Sequence, residues 1–216
     1  MALLLFDLDG TLLDTAPGIV AGMRHTLEQL GHPVPALATL QRMIGPPLEV
    51  GFAQLLGEPA GPRVSQAVEI YRQHYAQIGQ FQASVYEGIV GALEQLSMYP
   101  LGVATSKRQV FAEEMLQHYG LSGYFSAIYG VQPTDLSEPK SSLIGRAMQE
   151  LAADPAQTLM IGDRIFDLEG ARANQIPAIG ALWGYGSREE LASAQWLCAV
   201  PQELPGIIQQ WIRNTP

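Results

Sequence analysis

The chain has 216 residues, a formal net charge of −9 and one cysteine, Cys198. That length suits one large domain, or a core with a smaller domain inserted, and an acidic chain without any run of basic residues disfavours an extended track for a nucleic-acid backbone. A lone cysteine forms no intrachain disulfide, and the apolar start is too short for a signal peptide or a membrane span, so a soluble cytoplasmic protein is expected, with no membrane or nucleic-acid polymer as partner; oligomeric state is left open.

The first element is the short apolar run from Ala2 to Phe6, which reads as a buried strand over 3–8. It delivers Asp7-Leu8-Asp9-Gly10-Thr11 to the loop at its C-terminal end, where open α/β sheets bind ligands. Two carboxylates so close repel each other unless a cation or a proton sits between them, and a divalent metal is the natural answer. Asp7 then has the chemistry of a nucleophile, and Asp9 that of an acid and base toward the same reacting atom. The same residues also make ordinary turns, so the rest of the chain must decide.

Over 15–81 the pattern is helical: Ile19, Met23, Leu27 and Leu30 recur at helix spacing, as do Val64, Val68, Tyr71, Tyr75 and Ile78. Gly31-His32-Pro33, Ile44-Gly45-Pro46-Pro47 and Gly57-Glu58-Pro59 divide this stretch into a small bundle. The loop that begins at Arg42 and ends in Pro46-Pro47 is basic and stiff. It either lowers Arg42 toward a substrate carboxylate or second phosphate, or simply joins two helices beside a solvated arginine. His25, His32, His74 and His118 show no metal-ligand spacing and read as packed or solvated.

After Val85-Tyr86-Glu87-Gly88 short apolar runs alternate with amphipathic segments. Strands are expected over 101–105, 125–129, 158–161 and 178–182, with helices over 106–119, 141–151 and 167–174 and a last amphipathic turn around Ile207, Ile208 and Trp211. The pattern predicts an α/β fold: a doubly wound, mainly parallel, Rossmann-like sheet formed by 1–14 and 86–216, with an all-helical cap over 15–85 inserted after the first strand.

Three further strand or helix edges carry chemistry. Thr105-Ser106 offers hydroxyls that donate to a phosphate oxygen at a helix start, or only cap that helix. Lys107 and Lys140 are the only lysines against ten arginines. Lys140, in Glu138-Pro139-Lys140-Ser141, is placed to neutralise charge shared by a phosphate and Asp7, or else lies on the surface beside a helix cap. Gly162-Asp163-Arg164-Ile165-Phe166-Asp167 sets two carboxylates four apart beside a glycine, which suits a hard cation such as Mg²⁺; Asp167 also suits a helix cap.

In their order and placement, D-x-D-G-T, Thr-Ser, Lys and G-D-x-x-x-D resemble the haloacid dehalogenase-like hydrolase superfamily, and the likeness covers nearly the whole chain. Tyr86-Glu87-Gly88 and Trp183-Gly184-Tyr185-Gly186 look like its phosphoglycolate phosphatase-like branch, which has a helical cap inserted after the first motif. The resemblance implies Asp7 as the nucleophile that forms an aspartyl-phosphate and Asp9 as general acid and base. It implies Thr105 and Lys140 on the phosphoryl oxygens, and Mg²⁺ held by Asp7, the Asp9 carbonyl and Asp163, with Asp167 supporting that metal site from behind. Relatives commonly carry glycine where this chain has Asn174-Gln175-Ile176-Pro177, and Asn174 is expected to take the left-handed conformation there.

The activity implied is hydrolysis of a small phosphate ester, phosphoglycolate-like or a nucleoside monophosphate, with pyrophosphate a third class within the branch. A sugar phosphomutase of the beta-phosphoglucomutase type keeps the same motifs, and a catalytically silent regulatory module is the alternative from another class. Asp9 argues against a carbon–halogen hydrolase, whose leaving group needs no proton.

Overall fold

Leu3–Phe6 forms β1, and every residue of it is buried, as a strand covered on both faces requires. The computed structural model of the chain describes residues 2–133 and 138–214. After β1 come β2 (Leu13–Asp14), α1 (Ala16–Gln29), α2 (Leu37–Gln41), α3 (Leu48–Leu56), α4 (Pro62–Gln77) and β3 (Ser84–Val85). There follow α5 (Ile89–Leu96), β4 (Leu101–Arg108), α6 (Gln109–His118), β5 (Ala127–Val131), α7 (Lys140–Glu150), β6 (Thr158–Gly162), α8 (Ile165–Ala173), β7 (Ala178–Ala181), β8 (Trp196–Cys198) and α9 (Leu204–Asn214). The chain divides into two units, Met1–Asp14 with Ser84–Pro216, and Thr15–Ala83. Among the described residues no helix is long and apolar enough to cross a membrane.

The first unit is built on a six-stranded sheet in the order β5-β4-β1-β6-β7-β8, every pairing parallel. β1 lies inside it, flanked by β4 and β6, and the chain order reverses there. Phe6 is in register with Val103 on one side and Ile161 on the other, so the residues just beyond it converge at the C-terminal ends of three strands. One face of the sheet is packed by α7 and α8, where Leu3, Leu5 and Met160 meet Ile144, Ala147, Met148, Leu168 and Ala171. β2 and β3 pair antiparallel as Leu13 with Val85 and Asp14 with Ser84, so the chain leaves and re-enters this unit through a two-stranded ribbon.

The second unit is helical. Its core comes from the positions that the spacing predicts: Ile19, Met23 and Leu27 of α1, and Val64, Val68, Tyr71 and Tyr75 of α4, all buried. Ile78 departs from the pattern, because α4 stops at Gln77 and Ile78 is exposed. His25 and His74 stack with ring centroids 4.3 Å apart, a packing role rather than a ligand set.

The boundaries differ from expectation in ways that matter for the site. β4 runs on through Arg108, with a register irregularity against β5 between Ala104 and Arg108, and α6 begins only at Gln109. Ser106 is therefore exposed on a strand and is not at a helix start. The passage back into the first unit falls at Ser84, two residues before the predicted boundary. Gln175, not Asn174, takes the left-handed conformation after α8, at φ 58 against −95. The short elements α5 and β8 escaped sequence reading, and the predicted terminal turn is the full helix α9, which buries Leu204, Ile208 and Trp211.

Candidate active site

Asp7 is the first residue past β1, and its N–H donates to the Ile161 carbonyl at 2.9 Å, which anchors it to β6. Asp163 follows β6, and Asp167 lies in the first turn of α8. One carboxylate oxygen from each of these three residues lies within 4.8 Å of the others, and all three side chains are buried. Lys140, the first residue of α7, reaches into this cluster: its Nζ is 2.7 Å from Asp7 Oδ1 and 2.8 Å from Asp167 Oδ1, and it donates to the Ala104 carbonyl at 3.0 Å. The surface-lysine alternative for Lys140 is excluded, since it is only 7% exposed.

The electrostatics follow from burial. Desolvation pushes the Asp7 carboxyl up to about 6; Lys140 counters it, while Asp167 and Asp9 raise it further. Asp163 is also held well above the carboxylate range, chiefly by burial and then by Asp167 and Asp7, although the Tyr185 N–H and the Thr11 hydroxyl favour its ionised form. Burial alone would lower the Lys140 ammonium, but Asp167 and Asp7 outweigh it and hold the lysine above its ordinary value. Three carboxylates thus converge beside one ammonium, which pairs with two of them. That excess of negative charge on hard oxygen donors fits a divalent cation such as Mg²⁺.

Asp9 is expected on the sequence to reach the metal through its backbone carbonyl, and its side chain is engaged elsewhere. Its carboxylate is not one of the three that converge; Oδ2 accepts from Lys107 Nζ at 2.9 Å, and Oδ1 is buried without a hydrogen-bond partner. Thr105 is buried at the same strand ends, its Oγ1 accepting from the Lys107 N–H at 3.2 Å. Asp167, expected to act from behind the ligands, lies within the cluster itself and also closes the start of α8 by accepting from the Arg164 N–H at 3.1 Å. Arg42 belongs to the helical unit, where it is exposed and donates to Thr39 Oγ1 at 3.4 Å.

Glycines make room for this crowding. At Gly10, φ is 85 and a Cβ would overlap the Asp163 carboxylate; at Gly162 a Cβ would overlap the side chain of Asp167. Sequence reasoning missed three supports. Thr11 Oγ1 donates to Asp163 Oδ1 at 3.2 Å, the Tyr185 N–H donates to Asp163 Oδ2 at 2.8 Å, and Trp183 Nε1 donates to the Thr11 carbonyl at 2.9 Å. All three residues stand inside quoted motifs; the Tyr185 backbone donor leaves no residue-type signal, whereas the Thr11 hydroxyl and the Trp183 indole do. Lys107 had a signal, as the other of only two lysines.

Comparison with known proteins agrees with this geometry. Residues 4–181 match the family model described as haloacid dehalogenase-like hydrolase. A 5'-nucleotidase of Pseudomonas aeruginosa is 39% identical over 194 residues, covering 89% of this chain and 87% of its own. A phosphoglycolate phosphatase of Thiobacillus denitrificans is 28% identical over 202 residues, 90% of this chain and 89% of its own. Among solved structures, a haloacid dehalogenase-like family hydrolase from Streptococcus pneumoniae superposes with a TM-score of 0.91 at 34% identity, covering 97% of this chain and 99% of that one.

Proposed function

The chain belongs to the haloacid dehalogenase-like hydrolase family, and on that footing we propose that it hydrolyses a small phosphomonoester, with Mg²⁺ as cofactor, through a phosphoryl group carried on Asp7. The observation that carries this reading is the Asp7–Lys140–Asp167 ion-paired chain beside Asp163, with the unpartnered Oδ1 of Asp9 on the same loop as Asp7. Asp7 and Asp163, with the Asp9 carbonyl, would hold Mg²⁺, supported by Asp167, and the ion would neutralise phosphoryl charge.

The remaining chemistry belongs to the chain. An oxygen of Asp7 bonds to phosphorus as the ester P–O bond breaks, and Asp9 gives its proton to the departing oxygen. Water then attacks the phosphorus of the aspartyl-phosphate, Asp9 takes a proton from that water, and phosphate and free Asp7 result. Lys140 supplies positive charge next to Asp7 throughout, and the Thr105 hydroxyl is available to a phosphoryl oxygen. Ser106, exposed on β4, would contribute at most from the rim.

For substrate we favour a nucleoside 5′-monophosphate, because the relative at 39% identity carries the name of that activity, with the helical unit as the cap that selects it. Phosphoglycolate, toward which Arg42 would supply a cation, is the competing class. The test is phosphate release from nucleoside monophosphates, phosphoglycolate, pyrophosphate and sugar phosphates, with Mg²⁺ and with EDTA, for the wild type and Asp7→Asn. Mg²⁺-dependent release that Asp7→Asn abolishes supports the reading. An isomerised sugar phosphate with no free phosphate would make the protein a mutase, and silence on every class would leave a regulatory module.

A further inference from the structure

We propose that Lys107 is a positioning residue for Asp9: by tethering Oδ2 it fixes Oδ1 as the oxygen that gives and takes the proton. The inference rests on the phosphatase reading above and adds a residue that neither the motifs nor the resemblance assigned.

The geometry begins with the strand that outran its expected end. Because β4 continues through Arg108, Lys107 is carried on extended backbone past Thr105, and its own N–H is held by Thr105 Oγ1 at 3.2 Å. Its side chain is only 7% exposed and brings Nζ to 2.9 Å from Asp9 Oδ2, 98 residues earlier in the chain. A lysine that gives up water and rotamer freedom to this extent is not a solvated surface charge. A carboxyl group is two-fold, so without a tether either oxygen of Asp9 can face the reaction, and rotation about the terminal torsion exchanges them. The ammonium breaks that symmetry. It occupies Oδ2 and leaves Oδ1 buried with no hydrogen-bond partner, which is the state expected of an atom whose partner is the substrate's leaving oxygen. In the first half-reaction the proton on Oδ1 passes to the ester oxygen as its bond to phosphorus breaks; in the second, Oδ1 receives the proton of the attacking water. Lys107 exchanges no proton in either half.

A positioning role has a kinetic signature distinct from substrate binding. Lys107→Ala should lower the single-turnover rate of alkyl phosphate cleavage by about tenfold or more while shifting KM by no more than about twofold, and in that first half-reaction should spare p-nitrophenyl phosphate, whose leaving group departs without a proton. On an Asp9→Asn background the same substitution should add nothing, since the group it positions is gone. Lys107→Arg, which keeps the charge, should regain part of the lost single-turnover rate. Lys107→Met retains the stem and replaces Lys107→Ala should thermal melting show that the smaller side chain does not fold. A raised KM at unchanged kcat, an equal loss of single-turnover cleavage on both substrates, or full additivity with Asp9→Asn would each overturn the tether. An Asp9→Asn enzyme as active as wild type would sink the acid–base reading along with it, whereas damage from Asp9→Asn with none from Lys107→Ala sinks the tether alone.

Discussion

Removal of divalent cations should make the protein more stable in mild acid than at neutral pH, with Asp7 as a principal cause. The Asp7 carboxyl is pushed from 3.8 up to about 6 in the folded chain, first by burial. A folded value above the unfolded one means that the native state binds the proton more tightly, so this contribution is fully present below pH 3.8 and is lost as pH rises through 6. Between pH 4 and pH 7 the loss amounts to about 2–3 kcal/mol, which for a chain of this length lowers Tm by roughly 5–10 °C. Asp163, also held high by burial, pushes in the same direction.

The assay is thermal melting in EDTA across that pH range for wild type and Asp7→Asn, whose amide is neutral throughout. The wild type should lose stability relative to Asp7→Asn as pH rises, and saturating Mg²⁺ should erase the loss by binding the ionised native cluster. A difference between the two proteins that is flat with pH, or that grows in favour of the wild type toward pH 7 in EDTA, would refute the claim that burial dominates at Asp7.

Three further outcomes are expected. Gly162→Ala should depress both turnover and stability, the latter by about 1–3 kcal/mol, because the added Cβ overlaps the Asp167 side chain; a variant with wild-type melting and kinetics would show that the pocket yields freely. Cys198 is buried and its thiol is pushed up to about 12, by burial and then by Glu203, so the native protein at pH 8 should resist iodoacetamide while the urea-unfolded chain reacts, as mass spectrometry reads directly. Arg42→Ala should weaken use of the natural substrate and spare p-nitrophenyl phosphate, since an exposed arginine held only at 3.4 Å to Thr39 is free to grip a distal anion; equal loss on both returns it to the surface.

How much of this was legible beforehand differs from element to element. Asp7 and Asp163 were readable because each stands at a strand end marked by a sharp change from apolar to charged residues, Asp167 because it follows Asp163 by four, and Lys140 because it is one of only two lysines and precedes an amphipathic helix. β4 was cut short because Ser106-Lys107-Arg108 is polar and looks like a helix entry, whereas pairing with β5, up to Arg108 opposite Val131, overrides that local signal. The same override hid the Lys107–Asp9 pair, which depends on where the strand ends rather than on residue type. β8 has three residues and takes its stability from the neighbouring strand and α9, so a local window contains little of what holds it. Gln175 was missed for the opposite reason. Its left-handed φ of 58 is unusual for its residue type and is imposed by the turn from α8 into Pro177, while Asn174 instead donates its amide to the Ser141 carbonyl at 2.8 Å.

The acid cluster is tolerable because the strand beneath it is so deeply buried. Asp7 ionised at pH 7 costs about 3 kcal/mol against its unfolded state. Each apolar side chain of β1 contributes roughly 1.5–3 kcal/mol on burial, and all four residues, Leu3 to Phe6, are fully or almost fully covered. Burial therefore outweighs the electrostatic penalty severalfold within one strand. The same comparison explains why the acids sit at a strand end rather than on a mobile loop. Phe6 is locked in register to both Val103 and Ile161, so the Asp7 carboxylate cannot relax away from Asp163 and Asp167 without breaking pairing to two neighbouring strands. Repulsion that cannot be relieved by movement is relieved by a bound proton or by positive charge. Lys140 supplies part of that charge, and under the proposed function a divalent cation would supply the rest.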